Sequence, residues 1–188
     1  MNDIIKAIVN RRSVRTYSPG QIKDDELELI LQAGLFAPSA HNEQSWHFTV
    51  VQDKEVMNKL NSATKQEMRK QESEKLRQYG QDENFDIFYD APTIVVVSGK
   101  KTAIVPNIDC AAATQNMLIA AESLNIGSCW IGLLAHLFRS DEKGEYSRML
   151  GVTEGFEPYY AITLGYKAIE DKPAPPRREN TVNYIKAK

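Results

Sequence analysis

The chain has 188 residues, of which 42% are hydrophobic and 26% charged, and its formal net charge is -2. A chain of this length buries about 70% of the surface that its unfolded form exposes, so one domain over 1–188 needs no disulfide or metal for support. The slightly negative charge disfavours strong nucleic-acid binding, and the composition is that of an ordinary soluble globular protein. The N-terminus has no cleavage-site pattern, so we expect no secretion signal.

The first predicted elements are two helices. Apolar residues recur at helical spacing after Asn2 or Asp3, either of which can cap the first helix, and this pattern stops at a group of arginines. A second helix is predicted over 23–36, with Asp25 and Glu28 in positions typical of a capping box.

The arginines between these helices form one of two basic clusters in the chain. Guanidinium groups are fork-shaped donors suited to a phosphate or another planar anion, and three or four converging would anchor a phosphorylated ligand. For the first cluster alone, a solvated basic helix end is the simpler interpretation, since it suits the negative pole of the helix. The residues are Arg11, Arg12, Ser13 and Arg15 in the first cluster, and Arg177 and Arg178 in the second.

A polar loop over 38–45 follows the second helix and leads into a predicted strand at 47–51. Hydroxyl and amide side chains at the edge of an apolar wall suit a flat cofactor rich in heteroatoms. Turn chemistry is the alternative for Ser39 or Asn42 taken singly, because such side chains hydrogen-bond their own backbone.

The middle of the chain predicts an exposed helix and a buried strand. Residues 53–79 are helical but heavily charged, and we expect 65–77 to be mostly solvated and the helix to be mobile. The continuous apolar run at 93–97 predicts a central strand covered on both faces.

The last third predicts a core helix, two strands and an arm. Residues 107–125 form a helix that is apolar on two sides, although its polar residues argue against a membrane span. Gly127 is placed to cap it. The later elements are strands at 128–133 and 159–166 with a short helix at 142–150 between them, and an extended arm at 167–188. Strands interspersed with helices predict a layered mixed sheet with helices on both faces.

Several other site types are disfavoured. The three histidines lack metal-ligand spacing, and no serine lies in a G-x-S-x-G setting. No dinucleotide-binding glycine motif and no P-loop occurs. Cys110 and Cys129 are expected to be reduced core thiols of a cytoplasmic protein rather than a disulfide.

Taken jointly, the motifs resemble the FMN-dependent nitroreductase family, from about residue 4 to 180. The matching landmarks are Arg11-Arg12-Ser13-x-Arg15, Pro38-Ser39-x-x-Asn42-x-Gln44-x-Trp46-x-Phe48, Gln115-Asn116, Gly127-x-x-Trp130-Ile131-Gly132 and Leu164-Gly165-Tyr166. A common form of the second motif has proline after the glutamine, where this chain has Ser45, so we expect a slightly freer loop.

The resemblance implies an α+β fold, a three-layer α/β/α sandwich with a mixed, mostly antiparallel sheet. It also implies a homodimer that exchanges C-terminal arms and binds FMN tightly but non-covalently at the subunit interface. One subunit would hold the phosphate and pyrimidine side of the flavin, Ile131 and Gly132 would offer backbone near N5, and Asn84 would contact the ring. Arg177 and Arg178 would return to the phosphate. The remaining implied contacts are Arg11, Arg12, Ser13 and Arg15 from that subunit, and Pro38, Ser39, Ala40 and Asn42 from the other.

The implied activity is hydride transfer from NADH or NADPH, through FMN, to a nitroaromatic, a quinone or a similar electron-poor acceptor by ping-pong kinetics. No catalytic side chain is required, since the flavin carries the chemistry, and Arg15 is expected to stabilise the reduced flavin. The alternatives are another FMN reaction, namely enoate reduction, dehalogenation or flavin fragmentation, and a non-catalytic module that binds phosphate or nucleic acid.

Overall fold

The computed structural model describes residues 1–169 and 173–187. The helices are α1 (Asp3–Asn10), α2 (Asp24–Leu35), α3 (Lys54–Arg69), α4 (Glu74–Gln81), α5 (Pro106–Ser123), α6 (Ala135–Phe138) and α7 (Lys143–Met149). The strands are β1 (Trp46–Val51), β2 (Thr93–Lys100), β3 (Ile126–Ile131) and β4 (Phe156–Tyr166).

The four strands form one sheet in the order β1-β2-β4-β3, with every neighbouring pair antiparallel. Strand β2 is buried over its first seven residues, as its continuous apolar run predicts. Two isolated bridges add to these pairs: Ser13 makes a parallel bridge with Ser128 of β3, and Tyr17 an antiparallel one with Lys167, just after β4. The pairing is therefore mixed and mostly antiparallel, as predicted.

Two hydrophobic clusters cover the two faces of the sheet and make three layers. On one face, alternate residues of the strands pack against α3 and α6, as Val96 and Ala161 do. On the other, Val95 and Ile162 pack against α2 and α5. The predicted α/β/α arrangement is confirmed, and the sequence pattern explains it, because successive residues of a strand point to opposite faces.

The segment predicted as one exposed helix forms two partly buried ones, α3 and α4, separated at 70–73. The expectation that its charged residues are solvated is wrong for Lys65 and Glu67, which are 8% and 6% exposed. The Lys65 ammonium donates to the carbonyls of Asp82 at 2.5 Å and Phe85 at 2.9 Å. A buried charge is tolerated when it has such hydrogen-bond partners. The charged composition of this segment therefore did not imply that all its side chains are exposed.

Two helix ends also differ from the predictions. Gly127 lies inside β3, and α5 is instead followed by Asn125, whose φ of 58° is the left-handed conformation common after a helix. At the start of α2, the carboxylate that accepts from the backbone N–H of Lys23, at 3.1 Å, belongs to Glu26 and not to Glu28. Helix α6 was not predicted.

Within 1–169 and 173–187, no helix is long and apolar enough to cross a membrane. Residues 173–187 are exposed and form no helix or strand. The predicted arm at 167–188 also includes 170–172 and 188, which lie outside the described residues, and it stays a prediction.

Candidate functional site

The two basic clusters meet at one cavity of about 630 Å³. Four predicted residues near the start of the chain and Arg177 near its end line the cavity, while Arg178 is exposed and is not among its lining residues. The concentration of guanidinium groups makes this cavity the strongest candidate for binding an anion. The lining residues are Arg11, Arg12, Ser13, Val14, Arg15, Thr16, Ile169, Pro173, Pro175 and Arg177.

Hydrogen bonds to the sheet hold the first arginine segment in place. The backbone N–H of Val14 donates to the carbonyl of Ser128 at 2.9 Å. The Tyr17 hydroxyl donates to the Val14 carbonyl at 2.7 Å and lies 2.6 Å from Thr163 Oγ1. Burial raises the pKa of Tyr17, which keeps this donor protonated. Val14 is buried, whereas its neighbours Ser13 and Arg15 are exposed beside the cavity. Side chains alternate in this way along extended backbone.

Arg12 combines a helix-end role with its place in the cavity. Its Nη1 donates to the carbonyl of Val9, in the last turn of α1, at 2.8 Å and to that of Arg11, just after the helix, at 2.7 Å. The simpler interpretation of the cluster therefore holds in part for Arg12, because a guanidinium at this end also satisfies carbonyls that the helix leaves unpaired.

A second, open cavity of about 370 Å³ adjoins the first and shares Arg15 with it. Asn84 lines this second cavity and not the first, next to Arg15 and Tyr89. The Arg15 guanidinium carbon lies 5.6 Å from the centre of the Tyr89 ring, within cation–π range. The structure thus places Asn84 beside Arg15, in the cavity next to the arginine-lined one.

Ile131 and Gly132 follow one another at the end of β3. The Ile131 side chain is buried, whereas Gly132 lines a third cavity of about 600 Å³ together with Tyr159 and Tyr160. A Cβ at Gly132 would meet no atom within 4 Å, so packing within the described chain does not demand glycine there. The open backbone leaves room for a ligand to approach closely.

The predicted residues Pro38, Ser39, Ala40 and Asn42 line none of these three cavities. Within the chain they form a loop of their own, in which the Ser39 hydroxyl accepts from the backbone N–H of Gln44 at 2.9 Å and Asn42 Oδ1 accepts from the Gln44 side chain at 3.2 Å. The turn chemistry weighed as the alternative is therefore present for Ser39, whereas Asn42 bonds a side chain and not the backbone.

A buried carboxylate, which the sequence reasoning missed, fastens this loop to α5. Asp109 is 2% exposed; its Oδ1 accepts from the Ala40 backbone N–H at 3.0 Å, and its Oδ2 from the Ser45 hydroxyl at 2.7 Å. The expectation of a freer loop is wrong, because Ser45 supplies a bond that proline has no group to make. An aspartate in the first turn of a helix that is apolar on two sides was the available signal.

Known proteins are similar to this chain in sequence and in fold. The sequence model of the nitroreductase family matches residues 8–166.

The chain belongs to the nitroreductase family.

A relative from Archaeoglobus fulgidus, provisionally named an NADH dehydrogenase/NAD(P)H nitroreductase, is 36% identical over 170 residues, which are 88% of this chain and 86% of that protein. A nitroreductase structure with bound FMN from Bacteroides fragilis has a TM-score of 0.90 at 36% identity and covers 99% of this chain and 100% of that one. A second, from Desulfitobacterium hafniense, also with bound FMN, has a TM-score of 0.89 at 28% identity, covering 99% and 100%. These comparisons confirm the family resemblance.

Two further features of this nitroreductase-family chain concern its reactive side chains. Cys110 on α5 and Cys129 on β3 are buried and not disulfide-bonded, as predicted. Burial raises the pKa of both thiols, to about 12 for Cys110, so neither is a ready nucleophile. Among the residues that the structure describes, no group of three or more histidines, cysteines or carboxylates could hold a metal ion.

Proposed function

We propose that this protein is an FMN-dependent oxidoreductase that takes a hydride from NADH or NADPH and reduces nitroaromatics, quinones or similar electron-poor acceptors. The convergence of Arg11, Arg12, Arg15 and Arg177 on one cavity carries this proposal. Relatives support it: a Bacillus subtilis protein named FMN reductase [NAD(P)H] is 24% identical over 98% of this chain. The two free thiols support placing this single FMN-binding domain in the reducing cytoplasm.

The residues present fit FMN, because the phosphate and the ring system need different partners and the cavities offer both. Arg11, Arg12 and Arg177 would hold the phosphate, and Ser13 offers an exposed hydroxyl beside them. Arg15, at the boundary with the second cavity, would place positive charge beside the pyrimidine side of the ring.

Asn84 would add an amide from the second cavity, and Gly132 would offer open backbone to the ring edge. Bound FMN supplies the hydride transfer, so the protein's part is to bind, orient and surround it. No acid, base or nucleophile of the chain is assigned to the reaction.

We further propose a homodimer in which the loop with Pro38, Ser39, Ala40 and Asn42 reaches the FMN of the second copy. Its support is the apolar surface that the chain leaves exposed on α1, near the start of α5 and along the arm, where Ile4, Ile108 and Ile185 are each at least 60% exposed. Such an arm buries little by itself, so we propose that its end, with Arg178, lies on the partner.

The experiment is spectroscopic. Purified protein, or protein reconstituted with FMN, is expected to be yellow, and anaerobic NADH or NADPH should bleach it. A colourless protein that cannot be reconstituted would overturn the proposal in favour of a non-catalytic phosphate-binding module. A turnover screen of quinones, nitroaromatics and enones with both nicotinamides then separates reductase activity from the other FMN reactions.

Light scattering during size exclusion tests the dimer separately. A mass of twice 21.2 kDa is expected, and a mass of one chain at micromolar concentration would refute the dimer.

A further inference from the structure

The loop that follows α4 has an unusual backbone beside the candidate site. Tyr89 and Asp90 are consecutive residues with φ of 57° and 54°. Both angles lie in the left-handed region, which non-glycine residues rarely occupy, and a bulky tyrosine there is an outlier. Backbone of this kind persists only where the surroundings enforce it, and it is concentrated at functional sites.

One carboxylate enforces this backbone. Asp86 Oδ1 accepts from the backbone N–H of Phe88 at 3.0 Å, and its Oδ2 accepts from that of Asp90 at 2.8 Å. The Tyr89 N–H donates to the carbonyl of Asp86 at 3.1 Å. The Phe85 ring also packs edge-on against Tyr89, with ring centres 6.1 Å apart. Three hydrogen bonds therefore hold the backbone at Tyr89, and the Phe85 ring packs against its side chain.

The fixed ring lies against Arg15. The distance of 5.6 Å between the Arg15 Cζ atom and the ring centre is within the cation–π range. Another contact of the guanidinium is a long one, from Nη1 to the Ser13 carbonyl at 3.4 Å. Arg15 is exposed and has a long, flexible side chain, so the ring restricts a group that would otherwise sample many rotamers.

We propose that Tyr89 is a positioning residue for the FMN site, whose ring, set by the left-handed turn that Asp86 closes, holds the Arg15 guanidinium at the boundary of the two cavities. This inference rests on the proposed function and adds to it a residue that contacts Arg15. Holding the guanidinium in place before the ligand arrives lowers the entropy lost on binding.

The test compares Tyr89→Asn with Tyr89→Phe. Asparagine enters the left-handed region more readily than tyrosine, so Tyr89→Asn removes the ring without adding backbone strain. Tyr146→Asn, on α7, is a matched control away from both cavities. Nuclear magnetic resonance of the protein without FMN reads the contact directly: the Arg15 Hδ protons should be ring-current shifted in the wild type and in Tyr89→Phe, and unshifted in Tyr89→Asn.

Fluorescence titration of FMN, run in the wild-type and Arg15→Ala backgrounds, gives the consequence for the site. Tyr89→Asn is expected to weaken FMN binding about threefold in the wild type and to have no further effect in Arg15→Ala. Tyr89→Phe should restore part of the loss, because it keeps the ring but lacks the hydroxyl that also interacts with Arg15.

An equal loss in both backgrounds, or Arg15 protons that do not respond to removal of the ring, would overturn the proposal. A wild-type protein that binds no FMN would instead refute the proposed function, while the resonance measurement still decides the Tyr89–Arg15 contact.

Discussion

Replacing Ser45 by alanine tests whether the buried carboxylate of Asp109 holds the 38–45 loop. Ser45 and Asp109 are 1% and 2% exposed, and 2.7 Å separates the hydroxyl from Oδ2. A hydrogen bond to a charged group contributes about 1.5–3 kcal/mol, and its loss here leaves a buried carboxylate oxygen without that donor. We therefore expect Ser45→Ala to lower the free energy of unfolding by about 2 kcal/mol, and Tm by about 4–8 °C.

The assay is urea unfolding followed by circular dichroism, at a fixed concentration of protomer and FMN because both change apparent stability. The midpoint should fall with little change in slope. Ser123→Ala is the matched control, since that hydroxyl donates to the Ala120 carbonyl at 2.7 Å but is exposed, and its loss should cost less than about 0.5 kcal/mol.

Hydrogen exchange locates the effect within the chain. The amides of 40–44 should exchange faster in Ser45→Ala, whereas those of β2 should change only with global stability. A Ser45→Ala protein as stable as the Ser123→Ala control, or one with unchanged exchange at 40–44, would refute the reasoning.

Three further predictions concern other parts of the molecule. Arg177→Ala should weaken FMN binding at least about tenfold by fluorescence titration, and more than Arg178→Ala, because only Arg177 lines the cavity; an equal or greater loss with Arg178→Ala would contradict this assignment. Lys65→Met should lower unfolding stability in urea by about 2–3 kcal/mol, since two carbonyls lose their donor, and a neutral result would show that water replaces it. Burial raises the pKa of Cys110 from 9.0 to about 12, so unfolding releases a proton above pH 9 and stability should fall as pH rises towards 12. At pH 10.5 the free energy of unfolding should have fallen by about 1–2 kcal/mol less in Cys110→Ala than in the wild type. Wild-type and Cys110→Ala curves that run parallel with pH would exclude a contribution from the Cys110 thiol.

Helices and strands that are determined by their own local sequence pattern could be predicted. The run at 93–97 is apolar at every position, which only a strand or helix buried on both sides tolerates, and it forms the central strand β2. The three layers follow from the same kind of pattern. Guanidinium chemistry made each arginine cluster a candidate anion site, and the family resemblance implied that the two clusters bind the same phosphate.

Features that depend on distant partners could not be predicted. Lys65 looks solvated in the sequence because the carbonyls that accept from it are 17 and 20 residues further along the chain. The role of Asp109 depends on a loop 64 to 69 residues earlier. The left-handed turn at Tyr89 contains no glycine, so the sequence gives no sign of it. The Asp86 carboxylate stabilises the turn instead, through two backbone N–H groups.

The position of the arginine segment at the sheet edge has a consequence for folding. Ser13 pairs with Ser128, and the Tyr17 hydroxyl meets Thr163, a partner 146 residues away. Closing such long chain segments is slow, and these contacts need strands from the last third of the chain. On the ribosome, the anion cavity therefore cannot assemble until most of the chain has emerged, so a nascent or truncated chain ending before β4 would lack the docked arginines. Cofactor binding would then occur only after the last third of the chain has folded.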